Sequence, residues 1–322
     1  MEVHAQYRAV VGAATDAAAI AEARKSRLKG IGCMLVAVGA FAFMDSLLKF
    51  LTEHYPTMQV SAMRGFASLP FILVPLLFTR RFAELKPVRW KLHLARGVLS
   101  VFVLGTFVYA IRVLSLADAY SIFLSAPLIV TALSVPILGE KVGWHRWLAI
   151  GIGLCGVMVM LRPSASGLMT VGALAAFVSA VSYAVSAVSV RVLTKTDSNT
   201  SVVFWSMAIM TIISTLLALP HWESIRVEHI GWIGATGAVG ALAVHMLTQA
   251  FRSAPASAIA PFEYTALLWG VGIDWLVWDT LPESRVYLGG SIVIASGLYV
   301  IWRETRRKIE PLEAATSGAS AT

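Results

Sequence analysis

Seven ionisable side chains interrupt otherwise apolar runs: Asp45, Lys49, Arg64, Arg96, His245, Glu263 and Asp274. A charge inside an apolar run of membrane-crossing length is costly, and it faces the protein interior by default. At about 1.5 Å per helical residue, Asp45 and Arg64 fall at similar depth, with Lys49 one turn beyond Asp45 on the same face. Two readings follow. In one, Arg64 receives a carboxylate or phosphate while Asp45 takes an amine or a proton. In the other, Asp45 and Arg64 form a structural ion pair between two helices. Glu263, His245 and Arg96 form a second group of similar depth. A buried glutamate or a histidine can take up and release protons in a coupled carrier. Pro261, two residues before Glu263, loosens the local helix and frees carbonyls. His245 reads equally as a hydrogen-bonded packing residue, and Arg96 as a side chain reaching for the interface. Asp274, eleven residues after Glu263 and near the same helix face, either extends one polar path or lies near the outer mouth. Tyr109, Tyr183, Trp205, Tyr264 and Trp269 lie inside apolar runs. They either line a cavity for a planar or apolar moiety or pack between helices and lipid.

These groups need elements to hold them, and composition dictates which kind. The 322 residues are 57% hydrophobic and only 14% charged, where a soluble chain would carry about a quarter charged. The apolar residues fall in runs of roughly twenty, the length that crosses a bilayer. The expected fold is an all-α integral membrane protein. Its spans fall at about 30–52, 57–79, 92–113, 117–139 and 144–161, then at about 168–191, 201–220, 230–252, 257–278 and 284–302. Residues 1–29 read as a polar tail, helical near Asp16–Lys25, and 309–322 as a disordered Ser/Ala/Thr tail. The late position of the first apolar run and the lack of an early small-residue cleavage site argue against a signal peptide.

The net charge of +8 reflects loops, not nucleic-acid binding. If the N-terminus is inside, 19 of the 26 Lys and Arg residues fall in cytoplasmic segments and four in external ones, with Lys49, Arg64 and Arg96 in spans. This bias places both termini in the cytoplasm and favours an even number of spans. Cys33 and Cys155 lie in apolar runs, with neither metal spacing nor the pattern of a disulfide.

Several patterns carry no chemistry. Gly151-Ile152-Gly153-Leu154-Cys155-Gly156 matches a dinucleotide fingerprint but lacks the strand it requires; small residues there suit close helix packing. Asn199-Thr200-Ser201 is a sequon on the expected cytoplasmic side. No phosphate loop, zinc-protease motif or Ser/His/Asp spacing is present, so no catalytic residue, metal or cofactor is expected. An enzyme acting on lipid-linked substrates would need acids, histidines or metal ligands clustered at one interface.

The stretch 117–158 is echoed at 257–298, about 140 residues later. Each is an apolar run, a short charged turn (Gly139-Glu140-Lys141 in one, Asp279 in the other) and a glycine-containing apolar run. An internal repeat in an apolar chain points to a transporter built from two related halves, and five helices per half force those halves into opposite orientations. The matching features are Ala119 through Pro127, the Gly139-Glu140-Lys141 helix end and the Gly151/Gly156 helix, then Ala260-Pro261-Phe262-Glu263-Tyr264 and the Gly290/Gly297 helix. With Phe41-x3-Asp45-x3-Lys49 and Arg64, they resemble the drug/metabolite transporter superfamily in its bacterial ten-helix EamA-type branch. The resemblance covers about 30–303. It implies ten transmembrane helices as two inverted five-helix repeats (30–162 and 163–303) around a central cavity, and solute carriage without ATP hydrolysis. The second half departs from the pattern: the Gly-Glu turn has become Trp278-Asp279, and Tyr183-x3-Ala187-x3-Arg191 lacks the acid of the first copy. The expected partners are a small-molecule solute and the lipid bilayer, with monomer or homodimer left open. Export of an amino acid or related compound is the leading expectation, with uptake of a vitamin or nucleoside-like cofactor as the alternative. Glu140 and Lys141 read as a gate or structural turn.

Overall fold

In lipid a backbone must satisfy its own hydrogen bonds, so apolar runs of this length fold as helices, and polar turns end them. The computed structural model describes residues 2–80, 82–138, 143–160, 168–193, 196–254 and 259–319. The Gly139-Glu140-Lys141 turn lies outside them. The helices are α1 (Glu2–Thr52), α2 (Thr57–Thr79), α3 (Trp90–Val113), α4 (Leu116–Phe123), α5 (Ala126–Leu138) and α6 (Trp144–Met160) in the first half. The second half contributes α7 (Leu168–Leu193), α8 (Asn199–Ala218), α9 (Val227–Ser253), α10 (Ala266–Trp278) and α11 (Ser284–Ala319). Among the described residues there is no strand, and seven helical stretches are long and apolar enough to cross a membrane. Trp147–Met160 and Val286–Val300 are shorter apolar helices. The chain is therefore a multi-pass, all-α membrane protein.

Two sequence expectations change. The C-terminal region expected to be disordered continues α11 to Ala319, because Leu312, Glu313, Ala314 and Ala315 are strong helix formers. The expected spans at 117–139 and 257–278 each carry a break in helical regularity, although Leu116–Ile137 remains long and apolar enough to cross a membrane as one stretch. The first breaks between α4 and α5. The second starts as a 3₁₀ turn, Ala260–Thr265, before α10. The breaks match. Helices α5 and α10 are each 13 residues long and lie 140 positions apart. The Ser125 hydroxyl donates to the Ile122 carbonyl at 2.7 Å, and the Thr265 hydroxyl donates to the Phe262 carbonyl at 2.6 Å. Each hydroxyl thus satisfies a carbonyl at a break, as non-helical backbone in lipid requires.

Packing repeats the same symmetry. Helix α1 lies on α9 as α7 lies on α3, and α2 meets α9 as α8 meets α3. The self-paired contacts α2–α8 and α6–α11 complete the pattern. Small residues allow the closest approaches. A Cβ on Gly156 would meet the Gly289 carbonyl oxygen at 2.9 Å, and one on Gly289 would meet the Gly156 carbonyl oxygen at 2.7 Å. Within the fingerprint-like run, Gly156 thus seats α6 on α11, and Gly153 lies against Leu128 and Ser296. We call the end of the bundle holding Ser26, Ser253, His145 and Arg303 the tail end. There Ser26 donates to the Ser253 carbonyl at 2.7 Å, and Arg303 lies 3.1 Å from His145 Nδ1. The opposite end is the far end.

Candidate solute cavity

Helices α1, α2, α8 and α9 line a half-open cavity of about 370 Å³. Helix α1 supplies Phe41 and Met44; α2 supplies Arg64, Ser68 and Phe71; α8 supplies Met207; α9 supplies His245, Thr248, Gln249 and Arg252. Gly237 and Gly240 let α9 approach α2 and α1 closely along the cavity wall. A Cβ on Gly237 would strike the Ala67 carbonyl, and one on Gly240 would come within 2.9 Å of Met44. Arg64 sits about 10 Å from the far end of α2. Its guanidinium makes no hydrogen bond or ion pair with any described residue.

Asp45 and Arg64 are close enough to interact electrostatically but do not pair directly. Asp45 is buried and accepts a hydrogen bond from the Tyr120 hydroxyl at 2.8 Å. Tyr120, on α4, is thus the partner the sequence did not reveal. The second sequence-defined group divides. His245 joins Arg64 in the cavity. Arg96 is held by α7 and α8: its Nε donates to Ser206 Oγ at 2.6 Å and its Nη1 to the Ser186 carbonyl at 3.1 Å. Tyr183 stands within electrostatic reach of both Arg96 and Glu263. Glu263 lies half-buried on the 3₁₀ turn, and its carboxylate has no hydrogen bond among the described residues. Tyr264 is buried and packs its hydroxyl against Gly297 of α11. Trp269 is 45% exposed and lies over Gly39 of α1. Tyr109 is half-buried on α3.

Asp274 lies near the far end, the second of the two positions considered from sequence, and is built into a closure there. Fully buried, it accepts from the backbone N–H of Leu116 (3.0 Å) and Ala117 (2.8 Å), capping the start of α4. Lys49 reaches it at 3.3 Å, donates to the Leu114 carbonyl at 2.9 Å, and lies 4.6 Å from the Trp278 ring centroid. Lys49 therefore joins α1, α3, α4 and α10 near the far end. Gln59 supports that closure: its amide donates to the Glu223 carbonyl at 2.7 Å and accepts from the Glu223 N–H at 2.9 Å. The Tyr55 hydroxyl meets His229 Nδ1 at 2.9 Å and accepts from the Arg226 N–H at 3.0 Å.

A corresponding closure stands at the tail end. His93 Nε2 lies 2.9 Å from Asp197 Oδ1, which also accepts from the Val88 N–H at 2.7 Å. Thr196 donates to the other carboxylate oxygen at 2.7 Å. Burial pushes the Asp197 carboxyl upward, but hydrogen bonds from His93, Val88, Thr196 and Arg89 outweigh it and hold the pKa at about 2. Ser198 donates to the Glu84 carbonyl at 2.6 Å, and Trp205 Nε1 to the Leu85 carbonyl at 2.8 Å. Trp205, expected within a cavity or packing position, thus anchors the 82–85 turn.

Comparison with known proteins gives the same architecture. The model of the EamA-like transporter family matches twice, over residues 28–162 and 170–303. The chain is similar to the S-adenosylmethionine uptake transporter of Rickettsia felis, 25% identical over 285 residues, covering 88% of this chain and 96% of that one. It is similar to the riboflavin transporter of Vibrio cholerae, 29% identical over 292 residues, covering 87% and 95%. It is also similar to the pseudopaline exporter of Pseudomonas aeruginosa, 26% identical over 272 residues, covering 82% and 94%. A solved crystal structure shares the fold with a TM-score of 0.58 at 16% identity, covering 89% of this chain and 99% of that chain.

Proposed function

Because the chain belongs to the EamA-like transporter family, we propose that it is a secondary carrier moving a small polar metabolite across the bacterial inner membrane by alternating access. The proposed units are two inverted five-helix halves, 30–162 and 163–303, making ten spans, with cytoplasmic tails at 1–29 and 304–322. The observation that carries this reading is the cavity holding Arg64 beside a far end closed by Lys49, Asp274, Tyr55 and Gln59. A volume of about 370 Å³ suits a metabolite. The equivalent closures at the two ends would part in turn, exposing the cavity first to one side and then to the other. Glu263, unpaired among the described residues, beside Tyr183 and next to a helix break, is the proposed proton-coupling group. The tail end, rich in Lys and Arg, is the proposed cytoplasmic end.

Export of an amino acid or related compound is the direction and class to test first. Similarity to transporters named for S-adenosylmethionine and riboflavin favours a second reading, uptake of a cofactor of that type. Proteoliposomes preloaded with candidate solutes test both by counterflow. Exchange of a labelled solute across protein-containing membranes, lost in the Arg64→Ala variant, is the expected result. No exchange of any amino acid, nucleoside, vitamin or adenosyl compound would overturn the carrier reading for those classes. Oriented vesicles carrying a proton gradient then separate export from uptake.

A further inference from the structure

The sign of the cavity is set by its lining. Among the described residues that line it, the ionisable ones are Arg64, His245 and Arg252, and none is an aspartate or glutamate. Arg64 is the deepest of the three by sequence position, and Arg252 stands at the last turn of α9. A cationic group in low-dielectric surroundings is kept by an opposite charge or it is costly. Among the described residues the carboxylate near Arg64 is Asp45, but that group is occupied by Tyr120 and does not touch the guanidinium. The planar donor fork of Arg64 is therefore free to receive two oxygens in parallel, the arrangement that fits a carboxylate or phosphate. The rest of the wall nearby is apolar: Phe41 and Met44 on one side, Phe71 and Met207 on another.

From this juxtaposition we infer that the cavity takes a solute bearing a carboxylate or phosphate on an apolar or planar body, with the anion on Arg64 and the body against Phe41, Phe71 and Met207. The inference rests on the carrier reading and narrows its substrate class. Arg252 and His245 lie along the route to Arg64 and draw the anion inward. Asp45 plays a different part: held by Tyr120, it keeps a negative charge close enough to offset Arg64 when the cavity is empty, yet leaves the fork open. Ser68, Thr248 and Gln249 supply neutral hydrogen-bonding groups for whatever polar atoms the body carries.

Matched pairs of probes test this on the intact purified protein: benzoate with benzamide, phenyl phosphate with phenol, and indole-3-acetate with indole-3-acetamide. Each pair keeps the apolar body and changes only the charge. A ligand that binds the folded state raises its melting temperature by mass action, so thermal shift against concentration gives relative affinities. In at least one pair the anion is expected to bind about tenfold or more tightly than its neutral partner, with the preference weakening as salt rises. Arg64→Gln should abolish that preference. Should Arg64→Gln fail to fold, Arg64→Lys keeps the charge but loses the fork, and should keep part of the preference for phenyl phosphate while losing more for the carboxylates. Equal binding of anion and neutral partner in all pairs, or no binding by any anion, would overturn the anion assignment. So would an anion preference unchanged by either substitution. Counterflow of a neutral or cationic solute in the same protein would leave the carrier reading standing while removing this one. Anion binding without counterflow of any bound probe would do the reverse.

Discussion

His93 and His229 hold equivalent places in the two halves. Each lies in the first turn of its helix, α3 or α9. Each is bonded at 2.9 Å to the residue that precedes a helix N-cap: Asp197 before Ser198 of α8, and Tyr55 before Pro56 of α2. The geometry is shared but the chemistry is not. The tail-end partner is a carboxylate and the far-end partner a neutral phenol.

That difference gives the two closures different responses to acid. The Asp197 carboxyl is held at about 2, below its ordinary value of 3.8. A folded-state value below the unfolded one stabilises the fold fully above about pH 4, and the contribution is lost as pH falls through about 2. Thermal unfolding in detergent between pH 5 and pH 2 should therefore fall more steeply in the wild type than in Asp197→Asn, which should be less stable at neutral pH. Parallel slopes in the two proteins would remove Asp197 as the acid-sensitive group. Tyr55→Phe should cost about 1–2 kcal/mol by leaving His229 and the Arg226 N–H without their partner, with no added acid sensitivity over the same range.

Lys49 and Asp274 form a buried ion pair at 3.3 Å. Removing one partner from such a pair strands a charge, at a cost of about 3–5 kcal/mol. Lys49→Met and Asp274→Asn should each lower the melting temperature markedly. The double variant should lose less than the sum of the two, because neither charge is then stranded. Additive losses in a double-mutant cycle would show that the two side chains act independently.

The glycines of α6 separate by position. Gly156→Ala places a methyl group against the Gly289 carbonyl oxygen, whereas Gly151 has nothing within 4 Å of an added Cβ. Gly156→Ala should destabilise by about 1–3 kcal/mol through overpacking, and Gly151→Ala should be neutral or slightly stabilising. Equal effects in unfolding experiments would argue against the α6–α11 contact. Loss of nucleotide binding is not an expected readout for either.

Glu263→Gln keeps the size of the side chain and removes its charge cycle. The variant should fold with a melting temperature near that of the wild type, since the carboxylate makes no hydrogen bond among the described residues. Uptake or efflux driven by a proton gradient should fall to background, while counterflow without a gradient persists. Normal gradient-driven flux in this variant would exclude Glu263 as the coupling group.

The one-dimensional pattern of apolar runs determined the all-helical membrane fold. Span length and the scarcity of charges leave no other way to satisfy the backbone in lipid. The 140-residue echo made the repeat legible, and it reappears in the paired breaks at Ser125 and Thr265. The same pattern picked out Arg64 and His245 as interior groups, because a charge or an imidazole in an apolar run is conspicuous whatever its neighbours are. Partners were another matter. Equal depth left Asp45 and Arg64 open to pairing or to sharing a solute site, and grouped Glu263 with His245 and Arg96, but depth along a helix carries no information about rotation toward a neighbour. The Tyr120 hydroxyl, reaching from α4 to α1, took Asp45, and seating α10 against the start of α4 turned Asp274 into a cap. The His93–Asp197 and Tyr55–His229 closures join residues 104 and 174 positions apart in sequence. Only the folded arrangement of the two halves brings such pairs together, because their bonds depend on which helix ends meet and not on the residues that flank them.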